Sequence, residues 1–339
     1  MKHAASHVPA VTILTTMVLA PAAFGQLTPD RLYYGVNRDI PMTVKVPEGK
    51  KGEVTVKLLE AGTAKEVSSA SAAAGAVNLA TLFPQLWSDA APKVVYAQLA
   101  VGDEKVGPAV VIQPLVTPAD ARGTSNGGVQ FAAPAKAVMS GVRAYVDKHV
   151  KIETTVGSYE IELRPDMAPN TSWNFRSLVE GGFYTDIAIH RIARDNGVGQ
   201  PFVVQAGDPN GNGQGGPGYC IDLERCLLPH DFGVVSMART RDPNSGGSQF
   251  FVCLSREGTK LLDQLGYCTF GQAVSGADTI LKDGAGRLEL APVGTTFPNT
   301  LVVAAGDVQV DTATAAVQLN GATAGLSGEG TVASIAGPA

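Results

Sequence analysis

What most constrains the fold of this chain is a pair of strand-patterned runs in its second half. The first is Ile189-His190-Arg191-Ile192, followed after a loop by Phe202-Val203-Val204-Gln205-Ala206-Gly207-Asp208. The second is Gly233-Val234-Val235-Ser236-Met237-Ala238-Arg239, continuing to Ser248-Gln249-Phe250-Phe251-Val252. Each sets one or two polar side chains, Arg191 and Gln205 in the first and Gln249 in the second, among apolar residues with strand-like patterning. A largely apolar surface with a few convergent polar groups describes a binding groove. Neither run contains an evident nucleophile.

At 339 residues the chain is long enough for two domains with cores of their own, and 45% hydrophobic with 17% charged residues is ordinary for a globular protein. The balance of 26 Lys+Arg against 31 Asp+Glu is mildly acidic, without the basic stripe that nucleic acid requires. Near the N-terminus, Lys2 precedes the apolar run Val8 to Ala20, and Ala23 and Gly25 sit three before and one before a cut after Gly25. That pattern predicts a signal peptide over 1–25, too short for a spanning helix, and an exported protein, periplasmic or extracellular. No other segment is long and apolar enough to cross a bilayer. Export permits disulfides, and of the four cysteines Cys220 and Cys226 could close a small ring, while Cys253 and Cys268 lie on separate strand-like segments. Three pairings remain open. No C-x-x-C or nearby His supports a metal site.

Over 26–118, short alternating runs (Met42, Val44, Val46; Val54, Val56, Leu58; Val95, Ala97, Leu99; Val110 to Ile112) are separated by turn-forming clusters. This favours a small β-sandwich of the immunoglobulin-like kind, with a helical turn across Leu79 to Trp87. It carries no catalytic constellation. Residues 119–140, rich in Pro, Ala, Gly and Ser, read as a flexible linker between independently moving domains. The second domain, 141–312, opens with a hairpin: Val150, Ile152 and Thr154 alternate toward Gly157, and Tyr159, Ile161 and Leu163 alternate away from it. A helix capped by Asn170 or Thr171 comes next, with Phe175, Leu178 and Val179 on one face and Gly181-Gly182 at its end.

The Gly-rich stretch 207–218 matches two motifs by accident. Gly211-x-Gly213-x-x-Gly216 is followed by Pro217 and more loop where a dinucleotide site needs a helix. Asp208-x-Asn210-x-Asn212-Gly213 starts like a calcium loop, but its twelfth position is Tyr219 rather than Glu. No G-x-S-x-G is present, and His149 and His230 read as exposed histidines outside any catalytic pattern. The tail 313–339 is low in complexity and is expected to be disordered or to add one loose strand.

The two runs resemble the signature segments of the cyclophilins, the cyclosporin-binding family of peptidyl-prolyl isomerases, and the likeness extends over about residues 148 to 310. It implies a mainly β chain in which the N-terminal sandwich precedes a closed eight-stranded β-barrel with capping helices. It further implies cis-trans isomerisation of X-Pro bonds without a cofactor. Arg191 takes the catalytic place and Gln205 the glutamine that orients it. Phe202, Val203, Phe251 and Leu261 align with the walls of the proline pocket, with Tyr267 where the family has His or Tyr. Ala238, Arg239 and Gln249 match the segment that hydrogen-bonds the residues before proline.

The chain departs from the family in three places. About six extra residues fall within Ala193 to Pro201, Val203 stands where many members have Met, and Leu261 stands where tight cyclosporin binders have Trp. The expected partners are therefore proline-containing segments of exported proteins, with cyclosporin-like ligands bound weakly and the protein a monomer. The alternative is a non-catalytic proline-peptide-binding or chaperone module using the same groove.

Overall fold

In a computed structural model of the chain, the described residues are 26–275 apart from 90, 135, 155, 156 and 194. To these are added the backbones of Thr12–Thr16 and of six short strands between 287 and 336. The remainder of the expected signal peptide, and the second domain's end beyond 275 other than those strands, lie outside the described residues.

Period-two alternation builds the N-terminal unit. Val56 and Leu58, Ala97 and Leu99, Val110 and Ile112, and Val142 and Ala144 turn to one face of a seven-stranded sheet. Leu27, Met42 and Val44 come from a three-stranded sheet, and both sets share one core closed by Leu79 and Phe83. Leu79 opens a short helix, Leu79–Leu82, capped by the Asn78 side chain. The strand Met139–Val146 pairs with Val110–Val116 and with Tyr33–Gly35 and so completes this sheet. The sequence boundary at 141 therefore falls inside the first unit.

The expected linker is not free chain either. Asp120–Gly123 and Val129–Ala132 form a hairpin whose Ala121, Val129 and Phe131 pack on the core of the second unit. Arg225 stacks over the Phe131 ring at 5.1 Å, and the Asn244 side chain donates to the Ala121 carbonyl. Apolar residues at alternate positions make this Gly- and Ala-rich stretch a docked hairpin rather than a tether.

The second unit is a nine-stranded antiparallel sheet in the order Ile187–Ala188, Thr12–Thr16, Val150–Thr154, Gly157–Leu163, Thr269–Ser275, Val234–Met237, Phe250–Cys253, Val203–Ala206, Arg191–Ala193. Its two edges are Ala188 and Arg191, only three residues apart in sequence, and three residues span at most about 10 Å. The sheet must curl enough to bring Ala188 and Arg191 within that reach. Among the described residues no ladder joins those edges, so the closed eight-stranded barrel expected from the sequence is here a curled nine-stranded sheet that includes Thr12–Thr16.

The helix Pro169–Glu180 fills the curl, with Phe175 at the centre of a ring cluster: Tyr184, Phe250 and Phe270 all lie 5.1 Å from it. Pro169 occupies the first turn, and neither Asn170 nor Thr171 caps the helix. Instead the Glu224 carboxylate accepts the backbone N–H groups of Asn170 and Thr171 and the Thr171 hydroxyl, at 2.7–3.0 Å. Beyond 275, the strands starting at Asp307, Ala316, Gly325 and Ser334 lie nine residues apart and pair in two parallel ladders, so the tail is more than one loose strand.

The two units share a face. Arg143 and Tyr145 alternate with Val142 and Ala144 and so point away from the sandwich core, onto the helix. Tyr145 meets Trp173 at 4.9 Å; Arg143 lies 4.7 Å over Trp173; Arg176, almost fully buried, lies 4.7 Å over Tyr145 and donates to the Val146 carbonyl at 2.6 Å. Gln113 adds a hydrogen bond to Asn170 at 3.0 Å. Rings sandwiched by guanidinium groups in a half-buried seam hold firmly, so the expectation of independent domain motion does not survive. Trp173→Ala is expected to remove on the order of 2 kcal/mol of coupling and to split a single calorimetric transition into two.

His230 is 1% exposed, not the surface residue expected from the sequence. Its Nδ1 lies 2.7 Å from Asp263 Oδ1 and its Nε2 3.0 Å from Ser236 Oγ. Burial holds the ring's pKa below its ordinary value, with Asp263 opposing and Arg256 assisting. The native state thus binds the proton less readily than the unfolded chain, whose histidine titrates near about 6.5. The stability this contributes is present above that pH and is lost as pH falls through the lower native value. Denaturant midpoints should therefore decline on acidification below about pH 6.5, and His230→Gln should flatten that part of the profile.

Candidate active site

Strand register assembles the site before any side chain is considered. Arg191 pairs with Gln205, and Gln205 pairs with Phe251, so the three form one row across neighbouring strands. Directly opposed residues share a face of the sheet. On the opposite face Val235, Met237, Phe250 and Ala206 enter the core around Phe175. On the Arg191 face Val203, Val234, Phe251, Cys253 and Leu262 make a separate apolar cluster.

Over that cluster lies a pocket of about 200 Å³ lined by Arg191, Phe202, Val203, Gln205, Ala238, Arg239, Phe251, Leu262 and Tyr267. Arg191 Nη1 donates to Gln205 Oε1 at 3.0 Å, and its guanidinium carbon stands 5.9 Å from the Phe202 ring centre. Gln205 Nε2 donates to Gln249 Oε1 at 3.0 Å, and Gln249 Nε2 donates to the Gly215 carbonyl at 2.8 Å. An amide relay therefore runs from the Gly-rich loop to the arginine, and it fixes the Gln205 amide with its oxygen, not its nitrogen, facing the cation. On the far rim Arg239 lies 4.4 Å over the Tyr267 ring and donates to the carbonyls of Thr240 and Leu265.

The floor is aromatic. Phe251 stacks on His230 at 6.0 Å and meets Tyr267 edge-on at 5.8 Å. His230 is in turn tethered by Asp263 and Ser236, and Ser236 Oγ donates to the Cys268 carbonyl. Although Ser, His and Asp lie in line, Ser236 is fully buried, so the chain of hydrogen bonds holds the floor and presents no nucleophile. Sequence reading missed it because Asp263 comes from a short helix 33 residues beyond His230.

Eight of the residues singled out from sequence line this pocket. Two do not: Gln249 stands behind Gln205, and Leu261 is 57% exposed while its neighbour Leu262, 7% exposed, forms the wall. The short helix Leu261–Gln264 sets which of the two leucines turns inward, a phase that alignment by residue type cannot see. His190, next to the arginine, has both ring nitrogens buried without a hydrogen-bond partner. Burial lowers its pKa, against Asp208 and with Arg191.

The longer loop after Arg191 folds away from the pocket. The Asn196 side chain accepts the backbone N–H groups of Val198 and Gln200 and donates to the Gly258 carbonyl, and Ser255 Oγ donates to the Pro201 carbonyl at 2.7 Å. Gly258 is required there, because a Cβ would collide with the Pro201 carbonyl. The calcium-like start at Asp208 has another use. Burial pushes its carboxyl up, but the N–H groups of Asn210, Gly215, Gly213 and Asn212 outweigh that and hold it below the usual carboxylate range. Its lone pairs are spent on the loop. Among the described residues no group of three or more His, Cys, Asp or Glu side chains could hold a metal, and no helix is long and apolar enough to cross a membrane.

A family model described as cyclophilin type peptidyl-prolyl cis-trans isomerase/CLD matches residues 149–291, which leaves the N-terminal sheets outside the match. A peptidyl-prolyl cis-trans isomerase of Synechococcus elongatus is 40% identical over 121 residues, 36% of this chain and 77% of the relative. A peptidyl-prolyl cis-trans isomerase-like 1 of Neurospora crassa is 36% identical over 140 residues, 40% of this chain and 80% of the relative. Among solved structures, a cyclophilin type peptidyl-prolyl cis-trans isomerase of Cryptosporidium parvum, crystallised in the presence of the dipeptide Ala-Pro, is 32% identical; the match covers 38% of this chain and 80% of that one, with a TM-score of 0.34. Identity at this level, over more than three quarters of each curated relative, shows that the chain belongs to the cyclophilin-type peptidyl-prolyl cis-trans isomerase family.

Proposed function

We propose that this chain accelerates cis-trans isomerisation of X-Pro bonds in exported proteins, with Arg191 stabilising the twisted amide. The barrier to rotation is about 18–20 kcal/mol because nitrogen shares its lone pair with the carbonyl. At the top of the barrier the nitrogen is pyramidal and its lone pair is free to accept a hydrogen bond. A fixed cationic donor favours that state and needs no covalent step. A guanidinium suits the task because it is always charged and offers several donors in a rigid fork.

The observation that carries this reading is the Arg191 to Gln205 hydrogen bond of 3.0 Å at the edge of an apolar pocket. Proline binding alone needs only the socket formed by Phe202, Val203, Phe251, Leu262 and Tyr267. A donor held in place by a two-glutamine relay is what preorganised charge stabilisation adds. Leu261, turned outward, leaves that side of the rim without a large ring, which supports weak binding of cyclosporin-like macrocycles.

The assignment to export rests on the apolar run Val8 to Ala20 and the small residues before Gln26. Cleavage after Gly25 would remove the Thr12–Thr16 strand and open the edge of Val150–Thr154 that it covers. The two-sheet N-terminal unit is read as an immunoglobulin-like module that recruits the isomerase to a partner. Secreted protein should have Gln26 as its first residue by intact mass.

The activity is tested by exchange NMR on a short X-Pro peptide. Arg191→Ala should lower the catalysed rate by on the order of 10²-fold or more, the range seen when one transition-state donor is removed, while the peptide still binds. Wild type and variant equally slow, with binding retained, would make the groove a recognition module.

A further inference from the structure

The four cysteines fall into three environments. Cys220 is exposed and Cys253 is buried beneath the pocket cluster, where burial pushes its thiol up to about 12. Cys226 and Cys268 sit together. The Cys226 side chain packs against the core cluster that contains Cys268, its Sγ reaches the Glu224 carbonyl at 3.5 Å, and two residues further on the Leu228 carbonyl accepts the hydroxyl of Thr269, the neighbour of Cys268, at 2.8 Å. Cys268 Sγ lies 3.5 Å from Thr171 Oγ1, and that hydroxyl is bound to the Glu224 carboxylate. The two sulfurs, Glu224 and Thr171 thus gather in one cluster at the start of the Pro169–Glu180 helix. Neither of the pairings most readily suggested by the sequence, Cys220 with Cys226 or Cys253 with Cys268, is the one the fold brings together.

We propose that Cys226 and Cys268 are a disulfide-forming pair that, when oxidised, ties the Cys220–Cys226 loop segment to the strand running from Thr269 beneath the helix start. The inference rests on these contacts alone and is independent of isomerase activity.

The oxidant is a low-molecular-weight or protein disulfide. The partly buried Cys226, as thiolate, attacks one sulfur of that disulfide and stays joined to it as a mixed disulfide, while the other sulfur leaves as a thiolate. Cys268, 1% exposed, then gives up its proton and attacks the Cys226 sulfur, forming the internal bond and releasing the second reagent thiol. Two electrons and the two thiol protons pass to the reagent. The contact with Cys268, together with burial, raises the Cys226 pKa well above its ordinary value, so exchange on the folded protein is slow at neutral pH and quickens in alkali. The closed loop spans Cys226 to Cys268, long enough for a large restriction of the unfolded chain.

The bond would also bear on the groove. Cys268 is followed in the chain by Thr269 and preceded by Tyr267, a pocket wall, and it lines a second small cavity with Arg239, which serves both cavities.

The test uses the full chain, fully reduced and then equilibrated with glutathione disulfide at alkaline pH. Trypsin cuts after Arg225, Arg239, Arg256 and Lys260, so each cysteine lies on its own peptide. Non-reducing mass spectrometry should find the peptide beginning at Cys226 joined to the one beginning at Leu261, with Cys220 and Cys253 unlinked to either. The Tm of the oxidised form should rise on the order of 10 °C, and the rise should be absent in Cys226→Ser, whose hydroxyl keeps the Glu224 carbonyl as its hydrogen-bond partner. A Cys220–Cys226 or Cys253–Cys268 link overturns the proposal. So do glutathione adducts without an internal bond, four free thiols at equilibrium, or a Tm rise that persists in Cys226→Ser.

Discussion

The pleat of four adjacent strands is the constraint on which the rest depends. Along Val234–Met237, Phe250–Cys253, Val203–Ala206 and Arg191–Ala193, one set of side chains packs around Phe175 and the other builds the pocket. The same backbone hydrogen bonds therefore specify core and site together. A slip of one residue would put Arg191 and Gln205 on the core face and send Phe250 and Met237 outward. Burying a guanidinium without a partner is far costlier than burying any single apolar group is favourable, so register and site protect one another.

Behind the pocket the structure repeats one device, a carboxylate or amide that supplies hydrogen bonds to distant segments or, at Asp208, to its own loop. Glu224 serves the helix start, Asp208 the Gly-rich loop, Asp263 the His230 ring, and Gln249 the relay to Arg191. Each satisfies donors that the fold would otherwise leave stranded where water is scarce. Groups that orient the pocket are thereby set on the curled sheet's own rigid elements rather than on mobile chain.

Local pattern made the groove legible in the sequence. Arg191 and Gln205 stand among alternating apolar residues, and Phe175, Leu178 and Val179 share a helix face, both of which are properties of neighbours in sequence. The features that were not legible are set by distant parts of the chain. Whether Leu261 or Leu262 faces the pocket depends on the phase of a short helix against Val203. His230 looks like any loop histidine until Asp263 and Ser236 arrive on either side of it. The 119–140 stretch has a linker's composition, yet Ala121, Val129 and Phe131 find an apolar surface to cover. The boundary drawn at 141 assigns most of Met139–Val146 to the second unit, whereas the partners of that strand are Val110–Val116 and Tyr33–Gly35.

That last arrangement sets an order of events during synthesis. The sheet of the first unit cannot close until Met139–Val146 has been made, and by then the hairpin 120–132 already hangs between two of its strands. The hairpin's own docking surface includes residues as late as Leu265 and Gly266, which a ribosome delivers after more than a hundred further residues. For that interval Phe131 and Val129 are uncovered, whereas Arg143 and Tyr145 await Trp173 and Arg176 over a much shorter stretch of chain. The N-terminal unit can thus precede the isomerase unit as a nearly finished template, against whose exposed seam the helix Pro169–Glu180 can dock while the curled sheet is still being assembled.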